Sequence, residues 1–214
     1  MLTVYVTNDL MLDNELCKFM PSLRTPFADD GGGVVGLEIK LSIVGKVPIL
    51  ALCVREHCVI LQLLKFKKIP DSLYNFLAQT AITFVGFGIK DSVARLHRDY
   101  GIDCRNAIDL SNLAASVLQK PHLSGVGSAY ISELVLKMDG PFVFTPIMNS
   151  WSSLILSKDQ KLEIECCVFL SFAVGNKLFG GSYDQLFMEA WESIRCAHSH
   201  SNKAIIPGGK KLQF

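Results

Sequence analysis

The sequence predicts an α/β fold in which a mixed β-sheet, an antiparallel meander plus parallel strands, is flanked by helices. Three observations predict it. Three β-rich segments follow one another between residues 34 and 64, strand and helix patterns then alternate, and helical periodicity dominates the C-terminal half. At 214 residues the chain is long enough to bury about 70 % of the surface it exposes when unfolded. Half of the residues are apolar and 19 % charged, so a substantial core is expected. We place it in one domain at residues 1–197, followed by a flexible, polar and glycine-rich tail at 198–214.

Taken in order, Thr3 to Thr7 alternates as a strand does, and Asp13 to Met20 reads as a short helix before a loop from Pro21 to Gly33. Val34 to Ser42 is β-rich. Val47 to Val54 and Cys58 to Leu64 flank the polar tip Arg55-Glu56-His57 and make a hairpin, completing the meander. Asp71 to Gln79 carries Leu73, Phe76 and Leu77 at helical spacing, with Asp71 near the positively polarised N-terminus. Ile82 to Gly86 is a short strand, and Asp91 to Tyr100 sets Val93, Leu96 and Tyr100 on one helical face. Helices follow at Asp109 to Leu118 and Ala129 to Met138, separated by a break at Pro121 to Gly127. An irregular stretch with Pro141, Pro146 and Trp151 leads to a long helix from about Lys158 to Phe179 and a last one from Tyr183 to Ala197.

Several function classes are excluded or weakened by composition. No apolar run reaches the length of a membrane span, and Met1 to Met11 lacks the basic start and apolar block of a secretory signal, so an intracellular protein, cytoplasmic or nuclear, is expected. The seven cysteines are scattered without paired CxxC spacing, which speaks for reduced, mostly buried thiols. Cys53 and Cys58 flank the hairpin tip and could face each other, yet a reducing compartment argues against a disulfide there.

A net charge of +1 gives no global attraction to phosphate, so any single-stranded nucleic acid must bind through a local patch. Lys65, Lys67 and Lys68, with Arg95, His97 and Arg98 on a later helix, are the candidates; the competing reading is of solvated faces. The apolar richness suits a large core, a homo-oligomer interface or a protein partner equally. His97-Arg98-Asp99 sits inside a helix without a phosphate loop upstream, and Gly86-x-Gly88 is too short for a dinucleotide fingerprint.

Four segments carry a family resemblance. They are Val34 to Lys40, with Gly36-Leu37-Glu38-Ile39-Lys40; Cys58 to Leu63; Phe84 to Leu96, with Val85-Gly86-Phe87-Gly88-Ile89 followed by Ile108-Asp109-Leu110; and Asn149-Ser150-Trp151 through Leu156 to Gln160 and on to Ser171-Phe172. Together they resemble the DEDD-type 3′–5′ exonucleases, the family of the Werner syndrome protein's exonuclease domain and its plant relatives. The resemblance runs from Thr3 to about Leu186 and implies a ribonuclease-H-like sheet. It also implies a chemistry in which four carboxylates hold two divalent metals about 4 Å apart. Two such ions repel by about 16 kcal/mol at an effective dielectric of about 20, and only clustered anions offset that.

Position by position, the family's first aspartate falls on Glu38 and its glutamate on Lys40, which period-two alternation puts on the same sheet face. The second aspartate falls on Ser92. Asp91 lies one residue early, rotated by about 100° on a helix. The family's tyrosine and last aspartate fall on Glu163 and Cys167, which keep the i, i+4 relation, although a thiol is a soft ligand for hard cations. Glu38, Lys40, Ser92 and a neutral Cys167 sum to zero charge where the family has four negatives.

The resemblance therefore implies a catalytically inactive exonuclease-like domain without a metal cofactor, acting on nucleic acid or on a protein partner as a binding module. Lys40 is expected to pair with Glu38 or with Glu163. The alternative is an active Mg- or Mn-dependent exonuclease on DNA or RNA with relocated ligands drawn from Glu38, Asp91, Glu163 and Glu165.

Overall fold

The computed structural model describes residues 1–23, 33–43, 45–137, 151–153, 155–182 and 188–194. The expected meander is present as β2 (Gly33–Lys40), β3 (Ile49–Val54) and β4 (His57–Gln62). Lys40 of β2 lies opposite Ile49 of β3, which in turn lies opposite Gln62 of β4. Every residue of β3 is buried, as the uninterrupted apolar run Ile49 to Val54 requires of a strand covered on both faces.

Three more strands extend the meander on either side. β1 (Leu2–Val6) runs parallel to β4, β5 (Ile82–Gly86) parallel to β2, and β6 (Ala107–Asp109) parallel to β5. The six-stranded order is β1-β4-β3-β2-β5-β6. With β1 set aside, a three-stranded meander continued by two parallel strands is the ribonuclease-H-like plan.

The helices are α1 (Asp9–Leu23), α2 (Asp71–Leu77), α3 (Ile89–Tyr100), α4 (Leu110–Val117), α5 (Ser128–Leu136) and α6 (Lys158–Leu178). Residues 188–194 are also helical and bury Ala190, Trp191 and Ile194 on one face. α6 opens on a capping box in which the Ser157 hydroxyl accepts from Gln160 N and the Gln160 side chain accepts from Ser157 N.

The placement of α6 fixes the site. It crosses β2, and two glycines let it approach closely. A Cβ on Gly36 would run into the backbone of Val168 and Phe172, and one on Gly175 into Val85. Around this contact one large apolar core fills both sheet faces, and a smaller cluster with Leu110, Leu123, Ile131 and Val174 packs beneath α4 and α5.

The structure departs from the sequence reading in five places. α1 starts earlier than expected, with Asn8 Oδ1 accepting from Met11 N at 3.0 Å, and it takes in Pro21. β4 ends at Gln62, and Leu63–Lys65 is a 3₁₀ turn instead of more strand. β6 was not foreseen, being only three residues long. Asp109, read as the first residue of a helix, ends that strand and caps α4, accepting from Ser111 N at 2.9 Å.

The fifth departure is covalent. Cys53 and Cys58 form a disulfide instead of remaining thiols, because register puts them directly opposite each other with Cα atoms 4.2 Å apart. The expected last helix lies only partly within the described residues. The tail from His198, Pro141, Pro146 and most of the loop after Pro21 lie outside them. No helix among the described residues is long and apolar enough to cross a membrane.

Candidate functional site

Strand alternation sends Glu38 and Lys40 to one face of β2, and one helical turn separates Glu163 from Cys167 on α6 above them. The four meet. Lys40 Nζ lies 2.8 Å from Glu163 Oε1 and 3.1 Å from Glu38 Oε1, donates to Cys167 Sγ at 3.7 Å, and stands 5.0 Å from the centre of the Trp151 ring. The sequence reading had the lysine pair with one carboxylate or the other, and it pairs with both. All three charged side chains are more than four-fifths buried, Lys40 at 12 % exposure, Glu38 at 17 % and Glu163 at 15 %.

Electrostatics keeps the lysine charged. Burial alone would lower its affinity for a proton, but Glu38 and Glu163 outweigh that and raise it above the ordinary lysine value. Burial raises the Glu38 carboxyl above its usual range, with Lys40 pulling the other way. Cys167 is pushed up to about 12, by burial first and then by Glu38, so it remains a thiol at neutral pH. Glu163 Oε2 is buried without a hydrogen-bond partner. Counting Glu38 and Glu163 as negative, Lys40 as positive and Cys167 as neutral, the cluster carries −1.

Glu38, Lys40 and Cys167 border a cavity of about 240 Å³ that Phe87, Ser128 and Leu170 complete. Phe87 stands in the β5–α3 turn inside the Gly86-Phe87-Gly88 segment, so its neighbourhood was visible in the sequence. Ser128, the first residue of α5, carried no such signal.

The other candidate residues are dispersed. Ser92 is partly buried on α3 and is not among the residues lining the cavity, and Asp91 is exposed in the first turn of the same helix. Glu165 faces a different neighbour: it accepts from Tyr5 Oη at 2.7 Å, with Lys161 over the Tyr5 ring, and so ties α6 to β1. Lys65, Lys67 and Lys68 are exposed, and Lys68 pairs with Asp71 at 3.2 Å. Arg95 binds Asp99 and the Gly45 carbonyl, and Arg98 lies 3.5 Å from Asp99. Among the described residues no group of three or more His, Cys, Asp and Glu side chains is arranged to hold a metal ion.

A cluster that the sequence reading missed joins α1 to the hairpin. Glu15 accepts from Lys18 at 2.6 Å and lies 2.8 Å from His57 Nε2. Burial pushes the Glu15 carboxyl up, but Lys18 and His57 bring it below its usual range. Residues 42 apart in the chain give no sequence signal of such a contact.

A mixed sheet of this order, with Glu38, Lys40, Glu163 and Cys167 gathered where α6 crosses β2, defines a nuclease-like domain. The chain belongs to the 3′–5′ exonuclease family, whose sequence model matches residues 40–162, more than half of its length. That match includes Lys40 and Ser92 and stops short of Glu38, Glu163 and Cys167.

Among curated proteins, the chain is 28 % identical over 114 residues to RISC-interacting clearing 3′–5′ exoribonuclease 1 of Arabidopsis thaliana, covering 53 % of this chain and 52 % of that protein. It is 27 % identical over 127 residues to exonuclease 3′–5′ domain-containing protein 2 of Homo sapiens, covering 58 % of this chain and 20 % of that one. The chain thus spans about half the length of these relatives or less. Among solved structures it is similar to the EXD2 exonuclease domain soaked in Mn, with a TM-score of 0.49 at 21 % identity over 97 % of this chain and 100 % of that one.

Proposed function

We propose that this chain is a non-catalytic member of the 3′–5′ exonuclease family that works as a binding module. The observation that carries the proposal is the Lys40 ammonium held between Glu38 and Glu163. Two-metal hydrolysis requires anionic oxygen ligands directed at two hard cations. Here both carboxylates are turned on an ammonium, and the remaining donor is a protonated thiol. This donor set does not fit a pair of divalent ions, and the charge of −1 falls far short of the +4 that they would bring.

Two measurements test the reading. Calorimetric titration with magnesium and manganese is expected to show no micromolar uptake of two ions. Purified protein incubated with manganese and single-stranded DNA, recessed DNA or RNA is expected to degrade nothing beyond a Glu38→Ala control. Degradation that disappears in the control would overturn the proposal in favour of an active enzyme with relocated ligands. A Lys40→Glu, Cys167→Asp variant should in turn acquire divalent-metal affinity.

Single-stranded nucleic acid is one ligand class open to such a module. The exposed Lys65, Lys67 and Lys68 support it, and a cluster of net charge −1 repels phosphate less than four carboxylates would. Binding of a short single strand that weakens steeply with salt is its expected signature.

A further inference from the structure

At the end of the sheet where Lys40, Ile49 and Gln62 lie side by side, segments distant in sequence are joined into one surface. Leu63 N donates to Pro48 O at 2.8 Å, Ser152 Oγ to Ser42 Oγ at 2.9 Å, and Gln62 Nε2 to Ser153 O at 3.4 Å. The C-terminal part of α3 closes it, since Val47 N donates to Asp99 Oδ2 at 2.9 Å and Tyr100 Oη to Val47 O at 2.7 Å.

The segments that build this surface or adjoin it carry Lys46, Lys65, Lys67, Lys68, Arg95 and Arg98 against Asp71, Asp99 and Asp103, an excess of three positive charges in a chain whose total is +1. The same segments expose aliphatic side chains: Ile43 at 101 %, Ile155 at 85 %, Leu64 at 44 % and Leu41 at 38 %. Isolated exposed aliphatics are ordinary, but four on adjoining segments amid an excess of positive charge are not.

The pattern separates two kinds of partner. A single strand held by its bases as well as its phosphates uses open aromatic faces on which the bases stack. Here Phe66, Tyr74, Tyr100 and Trp151 are all partly buried. Lys46 covers the Tyr100 ring at 5.1 Å and Lys40 the Trp151 ring at 5.0 Å, while the Tyr74 hydroxyl is engaged by Tyr100 O at 2.8 Å. What projects outward is lysine and isoleucine or leucine, which complements carboxylates interleaved with aliphatic residues. We infer that this end of the sheet is a docking surface for an acidic, leucine-rich segment of a protein partner. The inference rests on the reading of the chain as a binding module, and names the partner.

The test titrates the whole chain with a synthetic peptide carrying Glu and Leu at helical spacing, with poly-glutamate, and with oligothymidylate, followed by fluorescence anisotropy. The Glu-Leu peptide is expected to bind at least about tenfold more tightly than poly-glutamate. That binding should weaken about tenfold in Ile43→Ser/Ile155→Ser, and at least as much in Lys46→Glu/Lys65→Glu/Lys67→Glu. All five positions are exposed, so unchanged melting curves confirm that each variant is folded.

Failure of the wild-type chain to bind the Glu-Leu peptide would overturn the inference. So would binding indifferent to Ile43→Ser/Ile155→Ser, or oligothymidylate binding tighter than peptide binding. Each of these leaves the non-catalytic reading intact, whereas Glu38-dependent degradation of an oligonucleotide overturns that reading whatever the peptide does.

Discussion

Lys40 is the residue on which the site turns. Removing it leaves Glu38 and Glu163 close together without their shared counter-ion, in surroundings that screen poorly. Lys40→Ala is expected to destabilise the fold by about 3 kcal/mol, read from urea midpoints, the low end of the range for breaking a buried pair. Adding Glu38→Gln and Glu163→Gln should recover much of the loss, because the uncompensated charges go with them.

A second prediction at this scale concerns acid. Asp99 is pushed up by burial but held below the usual carboxylate range by Val47 N, Arg95 and Arg98. A folded-state value below the unfolded one means that its stabilisation is present above the unfolded value and is lost as pH falls through the folded one. Asp99→Asn should therefore be less stable at neutral pH and lose less stability on acidification below about pH 4, measured by denaturation across pH. The lysine contributes in the opposite direction, since its raised value makes its stabilisation complete below the ordinary lysine range and lost only as pH rises above it.

Among the elements, α6 decides the geometry, because only its close crossing of β2 brings Glu163 and Cys167 over Glu38 and Lys40. Gly36 is the point of closest approach. Gly36→Ala puts a methyl group into the backbone of Val168 and Phe172, atoms that cannot rotate away, and is expected to destabilise the protein by about 3 kcal/mol by thermal denaturation. α6 itself was legible in advance, since its long helical run from about Lys158 to Phe179 is a local feature. β6 was not: three half-buried residues have no measurable period, and Ala107–Asp109 is a strand only because β5 lies alongside. Likewise the run from Cys58 into Leu64 looks uniformly β-like, and its termination at Gln62 reflects Pro48 opposite Leu63: Leu63 N still donates to Pro48 O, but proline has no N–H to return, and that partner lies outside any local window.

For the whole molecule, a site that carries its own cation should be indifferent to divalent metals. The melting temperature is expected to be the same in chelator and in millimolar magnesium or manganese, because a ligand that binds only the folded state would raise it. A rise with manganese that Lys40→Ala enlarges would show the lysine competing with a weakly held ion. The family relationship operates at this scale too. It covers residues 40–162, so the scaffold between β2 and the start of α6 is what the chain shares with exonucleases, while Glu38, Glu163 and Cys167 stand just outside the matched segment.

By itself the sequence determined the meander and the order of strand and helix, because these depend on periodicity and spacing along the chain, while the family resemblance implied which residues stand where exonucleases hold metal. It also placed Glu38 with Lys40 and Glu163 with Cys167, since alternation in a strand and the turn of a helix are local rules. Only the tertiary structure decided that one ammonium serves both carboxylates, that Glu165 is engaged by Tyr5 and turned from the cluster, and that Ser128 borders the cavity. It also assembled the cationic, aliphatic end of the sheet from segments scattered between residues 41 and 155. Each of these depends on the distance between elements far apart in the chain, a quantity set by packing and absent from any local pattern.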